Sequence, residues 1–247
     1  MRPHSNILIY IYKAIRAIQI TWRTSFRIIM GARNNPEAHK LLALGRMDWA
    51  PDLFKLAKAE LRVLGTENVV HEAPHIYVMN HQSFMDIPAA FLALPVNIAF
   101  VAKKEIEAMP LMGRAMREIG MIFVDRRNPR IAIESMKAGA EMVRSGVNVF
   151  AFPEGTRSKD GRIQSFKKGS FLLAIEAGVP MVPMAVQGAN DVLPPAGFKP
   201  EAGLITVVIG EPISTHGYTG ETVPLLMDRV RLQIISLSES IGGRGGD

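Results

Sequence analysis

The chain has 247 residues, 48% of them hydrophobic, which suits one sizeable folded domain with an attachment and is too short for two full domains. It has no cysteine, which excludes a disulfide framework, a zinc–cysteine site and a thiol nucleophile. The net charge of +6 is uneven: residues 1–46 hold eight Lys and Arg against the single Glu37, a net of +7, which leaves −1 for the rest, so an anionic partner, nucleic acid or acidic membrane, is expected at the N-terminal arm.

From Asn6 to Met30 the pattern predicts one long helix. Lys13, Arg16, Arg23 and Arg27 share one side of a 3.6-residue period, while Ile7, Leu8, Ile11, Ile15, Ile18, Trp22, Phe26, Ile29 and Met30 cover most of the other. The uncharged run before Lys13, Pro3 to Tyr12, is shorter than the ~20 residues a membrane span needs. This is the pattern of a helix lying in the membrane interface, with Lys13, Arg16, Trp22, Arg23, Phe26 and Arg27 as candidate membrane-binding residues. Each cation that reaches an anionic surface contributes about 1 kcal/mol. A secretory signal is the runner-up, and it lacks a small-residue cleavage site; the plainer alternative is a helix packed on the body. The arm has none of the interleaved aromatic and basic surface of a nucleic-acid module, so the expected partner is lipid and not nucleic acid.

Asn35-Pro36 and Gly45 bracket a second short helix, so residues 1–46 form an amphipathic two-helix membrane-association unit and residues 47–247 the main domain. A third helical pattern runs from Asp48 to Leu64, with Pro51 near its start and Gly65 as its stop. After Gly65 the pattern alternates. Strand-like runs at Ile76–Met79, Asn97–Ala102, Met121–Val124, Val147–Phe152, Met181–Val186 and Leu204–Ile209 alternate with helical patterns at Asp86–Leu94, Pro110–Ile119, Pro129–Ser145 and Gly169–Ala177. The last helix is expected at Glu221–Ser240, with 242–247 frayed. The predicted fold class is α/β, a mostly parallel sheet covered by helices on both faces.

Ligand sites of such sheets collect at the carboxyl ends of strands. Asn80-His81-Gln82-Ser83-Phe84-Met85-Asp86 stands at one such end. An imidazole followed five residues later by a carboxylate forms an oriented base: the carboxylate fixes the tautomer and leaves the other nitrogen to take a proton. A plainer reading is a lone histidine beside Asp86 as a helix cap before Ile87-Pro88. Lys103-Lys104 and Asp125-Arg126-Arg127 follow two further strands. Phe152-Pro153-Glu154-Gly155-Thr156-Arg157-Ser158 follows another: Gly155 lets the backbone turn, Thr156 offers a hydroxyl, Arg157 a planar fork suited to phosphate, and Glu154 either holds that arginine or accepts from a substrate hydroxyl. The glycine spacing and Gly-Lys-Ser/Thr ending of a nucleotide phosphate loop are missing. So is the Gly-x-Ser-x-Gly of a serine hydrolase. His4, His39, His71, His75 and His216 lack a comparable carboxylate partner and are assigned to surface or packing.

Together, Asn80-His81-x4-Asp86 and Phe152-Pro153-Glu154-Gly155-Thr156-Arg157-Ser158 resemble the glycerolipid acyltransferase family, most of all its bacterial 1-acyl-sn-glycerol-3-phosphate acyltransferases. The likeness spans roughly residues 60–215. Gly120-Met121-Ile122-Phe123-Val124-Asp125-Arg126 resembles the family's second block, with Val124 where isoleucine is commoner; Val179-Pro180-Met181-Val182-Pro183-Met184 resembles its fourth. The resemblance implies transfer of an acyl group from acyl-CoA or acyl carrier protein to the 2-hydroxyl of lysophosphatidic acid, with no acyl-enzyme, no cofactor and no metal. It assigns His81 as base and Asp86 as its orienter, Arg126 and Arg157 to the phosphate, Glu154 and Gly155 to the acceptor site, Pro180 and Val182 to its apolar part, and either Lys103 or Lys104 to the oxyanion or phosphate. It places such an enzyme on the cytoplasmic face of the cell membrane, as a peripheral or monotopic protein. Glycerol 3-phosphate or a lyso-amino-lipid as acceptor, or a non-catalytic membrane-surface protein, are the alternatives.

Overall fold

A computed structural model describes residues 4–125, 129–195, 197 and 199–246, without the side chains of 4–6 and 129–133. Arg126, and with it Arg127 and Asn128, lies outside the described residues. The elements in order are α1 (His4–Ala32), α2 (Ala50–Ala57), β1 (Ala59–Leu64), β2 (Ile76–Met79), α3 (Asp86–Ala93), β3 (Ile98–Lys103), α4 (Met112–Glu118), β4 (Ile122–Val124), α5 (Pro129–Arg144), β5 (Asn148–Ala151), α6 (Gly169–Ala177), β6 (Met181–Gln187), α7 (Ala189–Val192), β7 (Gly203–Ile209) and α8 (Val223–Ser240). The strands form one sheet in the order β1-β7-β6-β2-β5-β3-β4. Neighbours are parallel except β6 and β7, so β2, β3, β4, β5 and β6 all end on one edge.

All four residues of the central β2 are buried. The period of two divides them between two cores. Tyr77 and Met79 pack with Phe150, Phe100, Phe91 and Phe54 under α2 and α3; Ile76 and Val78 pack with Val149, Phe171 and Ile234 under α5, α6 and α8. Helices therefore cover both faces, and the sheet is mostly parallel, as the alternating pattern predicts. A third, smaller cluster seats Ile28 of α1 on Ala115 and Ile119 beside α4.

Three expectations are corrected. The helix expected at Asp48–Leu64 stops at Ala57, Lys58 takes a left-handed φ of 60°, and Ala59–Leu64 is instead a strand. Ala59, Leu61 and Val63 turn inward and Glu60 and Arg62 outward, a period of two that the helix-like spacing of Phe54, Ala57, Leu61 and Leu64 disguises. What selects the strand is the free edge of β7, with which β1 pairs over its whole length. The second N-terminal helix is present but does not close at Gly45: Ala38–Leu42 is a 3₁₀-helix and Gly45–Trp49 a π-helix that runs straight into α2. Gly45 does not end a helix; a Cβ there would stand 2.5 Å from the Phe91 ring, so glycine is what lets α3 approach. Residues 242–246 are not frayed: Ile163 N–H donates to the Gly245 carbonyl at 3.3 Å and the Arg244 guanidinium to the Asp160 carbonyl at 2.9 Å.

Candidate active site

Asn80 ends β2 by extending its pairing with a side chain. Its amide accepts from Val186 N–H at 2.8 Å and donates to the Val186 carbonyl at 3.0 Å, which anchors the following loop to β6. His81 then leaves the sheet, and Asp86 opens α3. Met85, not Asp86, holds the N-cap position of that helix, and the Asp86 carboxylate reaches back into the preceding loop. One oxygen, Oδ2, receives Gln82 N–H at 2.6 Å, Ser83 N–H at 2.8 Å and His81 Nδ1 at 2.7 Å. The Asp86 side chain is fully buried and the His81 side chain 14% exposed. A carboxylate only accepts, so the neutral imidazole carries its proton on Nδ1 and its lone pair on Nε2. Nε2 has no hydrogen-bond partner among the described residues. The ring lies flat against Phe152, with centroids 3.9 Å apart and planes 14° from parallel.

The two motifs are joined at the backbone of this histidine. His81 N–H donates to Glu154 Oε1 at 2.7 Å, and the His81 carbonyl accepts from Ser158 N–H at 2.7 Å. Glu154 Oε2 accepts from Gln164 N–H at 3.0 Å. Gly155, at φ +74°, makes the tight turn after Phe152 that brings Glu154 beneath His81. The Glu154–Arg157 pair considered from the sequence does not form. Arg157 instead donates to the Pro195 carbonyl at 2.9 Å and lays its guanidinium over the Phe84 ring, 3.9 Å from the centroid. Phe84 belongs to the first motif, so this contact ties the two motifs a second time.

Lys103 and Thr156 are exposed at the same edge of the sheet. Lys104 forms an ion pair with Glu107. Pro180 and Val182 are not brought to the site. Pro180 precedes β6 and its carbonyl accepts from Ile76 N–H, at the start of β2, where it lines a separate cavity of about 280 Å³ with Tyr218 and His216. Five residues of strand put that edge roughly 16 Å from His81. Val182 is paired with Tyr77 inside the core and wholly buried. The sequence reading assigned no role to Phe152, Phe84, Asn80 or Gln164; the first three sit inside the two motifs, whereas nothing in the pattern singles out Gln164. Ser83 is buried and its hydroxyl donates to the Leu193 carbonyl at 2.6 Å, which unsuits it as a nucleophile.

α1 shows three faces. Ile20, Thr24, Ser25, Ile28 and Ala32 are buried against the body. The apolar stripe of Ile7, Leu8, Ile11, Ile15, Ile18, Trp22, Phe26 and Met30 is exposed, with Trp22 at 52% and Phe26 at 57%. On the basic flank, Arg23 pairs with Asp48 and Asp52, Arg27 pairs with Asp48, and Lys13 donates to the Pro200 carbonyl at 2.6 Å; Arg16 bonds to Gln19 within the helix. Tyr10 donates to Glu201, and this carboxylate raises the phenol above its usual pKa. Among the described residues no helix is long and apolar enough to cross a membrane, and no group of three or more His, Asp or Glu is placed to hold a metal.

A family model described as Acyltransferase matches residues 60–187. The chain is 37% identical over 190 residues to a chloroplast 1-acyl-sn-glycerol-3-phosphate acyltransferase of Brassica napus, covering 75% of this chain and 53% of that one. To the human 1-acyl-sn-glycerol-3-phosphate acyltransferase alpha it is 34% identical over 189 residues, covering 75% and 67%. The chain spans about half the length of the plant relatives it matches. The crystal structure of the 1-acyl-sn-glycerophosphate acyltransferase PlsC from Thermotoga maritima superposes with a TM-score of 0.82 at 27% identity, covering all of both chains.

Proposed function

The chain belongs to the acyltransferase family, and from that premise we propose that it transfers an acyl group from a thioester, acyl-CoA or acyl carrier protein, to the 2-hydroxyl of 1-acyl-sn-glycerol 3-phosphate, forming phosphatidic acid. The observation that carries this reading is the imidazole held by Asp86 at 2.7 Å with Nε2 left to act. Nε2 takes the hydroxyl proton as the oxygen attacks the thioester carbonyl carbon. The C–S bond then breaks, and the departing thiolate recovers the proton from the imidazolium. No acyl-enzyme is needed. A positioned base of this kind contributes about 10²–10⁴-fold, and holding alcohol and thioester in line supplies up to ~7–11 kcal/mol.

Arg157 is assigned to the acceptor phosphate. Phe84 and the Pro195 carbonyl hold its plane, and its remaining N–H groups are available to an anion. Lys103 is preferred over Lys104 for the developing oxyanion or phosphate, because Glu107 already engages Lys104. Arg126 keeps the phosphate role its motif implies. Gly155 and Thr156 border the acceptor site, and Glu154 serves it from beneath by fixing the His81 backbone. The enzyme would work on the cytoplasmic face of the cell membrane with the exposed stripe of α1 in the lipid interface. Since Arg23 and Arg27 are paired with Asp48 and Asp52, apolar burial and Arg16, more than the whole basic flank, supply the attachment.

The test is a mass-spectrometric product screen with lysophosphatidic acid and each thioester type, on the unsubstituted chain and on His81→Ala. Phosphatidic acid is expected from the former alone. Equal product from His81→Ala overturns the general-base reading; no product with either thioester overturns lysophosphatidic acid as the acceptor, and if glycerol 3-phosphate and a lyso-amino-lipid then also give none while vesicle flotation is retained, a non-catalytic membrane-surface protein is favoured.

A further inference from the structure

Phe152 lies against one face of the His81 imidazole, nearly parallel, at 3.9 Å between centroids. It is held in that plane from behind. Phe150 meets it edge-on at 5.2 Å and 67°, Phe100 at 6.1 Å, and Phe91 backs Phe100 at 5.0 Å. The aromatic row thus runs from the core between the sheet and α3 to the histidine. Asp86 fixes one edge of the imidazole and Phe152 fixes its plane, so rotation of the ring is blocked about two axes.

The general-base reading, on which this inference rests, makes the imidazole a cation for the lifetime of the tetrahedral intermediate. The face of a benzene ring carries negative charge density and attracts a cation placed over it within about 6 Å. A neutral imidazole gains much less from the same contact. The stack is therefore stronger after proton transfer than before it, which is the condition for lowering a barrier rather than only binding substrate. Asp86 stabilises the same cation from the edge, through a fully buried carboxylate.

We propose that Phe152 is a positioning residue for acyl transfer, whose π face stabilises the imidazolium that His81 becomes when it takes the acceptor's proton. Phe152 touches neither substrate in this scheme; it acts through His81. Its contribution belongs in kcat, at roughly five- to thirtyfold, with KM for both substrates little changed.

The decisive series keeps the ring's shape and drains its face. Phenylalanine carrying one, two and three fluorines is installed at position 152 by nonsense suppression, alongside Phe152→Tyr and Phe152→Leu. The expected result is a stepwise fall of log kcat with each fluorine, KM within about twofold throughout, near-normal turnover in Phe152→Tyr and loss in Phe152→Leu. Because fluorinated rings preserve the packing on Phe150, the series remains informative even if Phe152→Leu fails to fold. A flat kcat across the fluorinated proteins overturns the proposal and leaves Phe152 as a spacer. His81→Ala separates the two layers: turnover retained there removes the general base itself, whereas an inactive His81→Ala with a flat fluorine series removes only the role given to Phe152.

Discussion

Asp86→Asn is the most discriminating single change at this site, because it alters charge while nearly preserving shape. Oδ2 of Asp86 accepts from two backbone N–H groups, Gln82 and Ser83, and from the His81 ring, all between 2.6 and 2.8 Å. An asparagine can satisfy the two backbone groups with its oxygen, and then the imidazole keeps Nδ1–H but loses a full negative charge beside the developing imidazolium. If the amide turns, its NH₂ faces Nδ1 instead, the ring takes the other tautomer, and Nε2 carries a hydrogen and no lone pair. Either route weakens the base. The expected loss is about 10²–10⁴-fold in kcat, the span a general base contributes. Stability should move far less, by about 1–3 kcal/mol: charge-assisted hydrogen bonds are lost, but a buried charge is removed as well. The assay is thiol release from the thioester donor in the presence of lysophosphatidic acid on mixed vesicles, with a thermal melt of the same preparation. A kcat within threefold of the unsubstituted enzyme, at unchanged melting temperature, refutes the assignment of Asp86 as orienter.

Three further outcomes are expected. Arg157→Lys keeps a charge but loses the fork and the flat contact with Phe84; KM for lysophosphatidic acid should rise about tenfold or more, equivalent to ~1.4 kcal/mol, with kcat nearly unchanged, and steady-state kinetics decide it. The double change Trp22→Ser and Phe26→Ser should lower vesicle flotation severalfold while moving the melting temperature little, since both side chains are more than half exposed. Burial pushes the Tyr77 phenol up to about 12 from its usual 10.0. A raised folded value means that stability is complete below pH 10 and is lost as pH climbs from about 10 to 12, where only the unfolded phenol ionises, by about 2–3 kcal/mol in all. Tyr77→Phe should flatten that alkaline fall in a melting series. It should cost little at neutral pH, because the hydroxyl has no hydrogen-bond partner among the described residues.

What the sequence carries about this molecule divides along a physical line. Ile76–Met79 and Gly169–Ala177 have the predicted bounds because their patterns are local: a short apolar run ended by Asn80, and a helix opened and closed by Gly169 and Gly178. Ala59–Leu64 fits either period on its own, and only pairing with β7, more than 140 residues away, makes it a strand. The same line divides the site. Residue types and spacing at His81 and Asp86 are local, and the geometry joins them as the spacing implies. Which group Glu154 serves is not local: Arg157, three residues on, is the partner that spacing suggests, and the His81 backbone, 73 positions away, is one that the fold supplies. Pro180 and Val182 fail for a related reason, since a motif states proximity to a strand without stating which end of it faces the site. The pairing of Glu154 and Ser158 with the His81 backbone also explains why the two motifs are more informative together than singly. Only when Glu154 takes the histidine's N–H and Ser158 donates to its carbonyl does the imidazole acquire a fixed backbone as well as a fixed tautomer. The proposed base, which meets a substrate that the proposal places on Arg157, needs both, because an error of about 1 Å in its placement costs on the order of 10²-fold in rate.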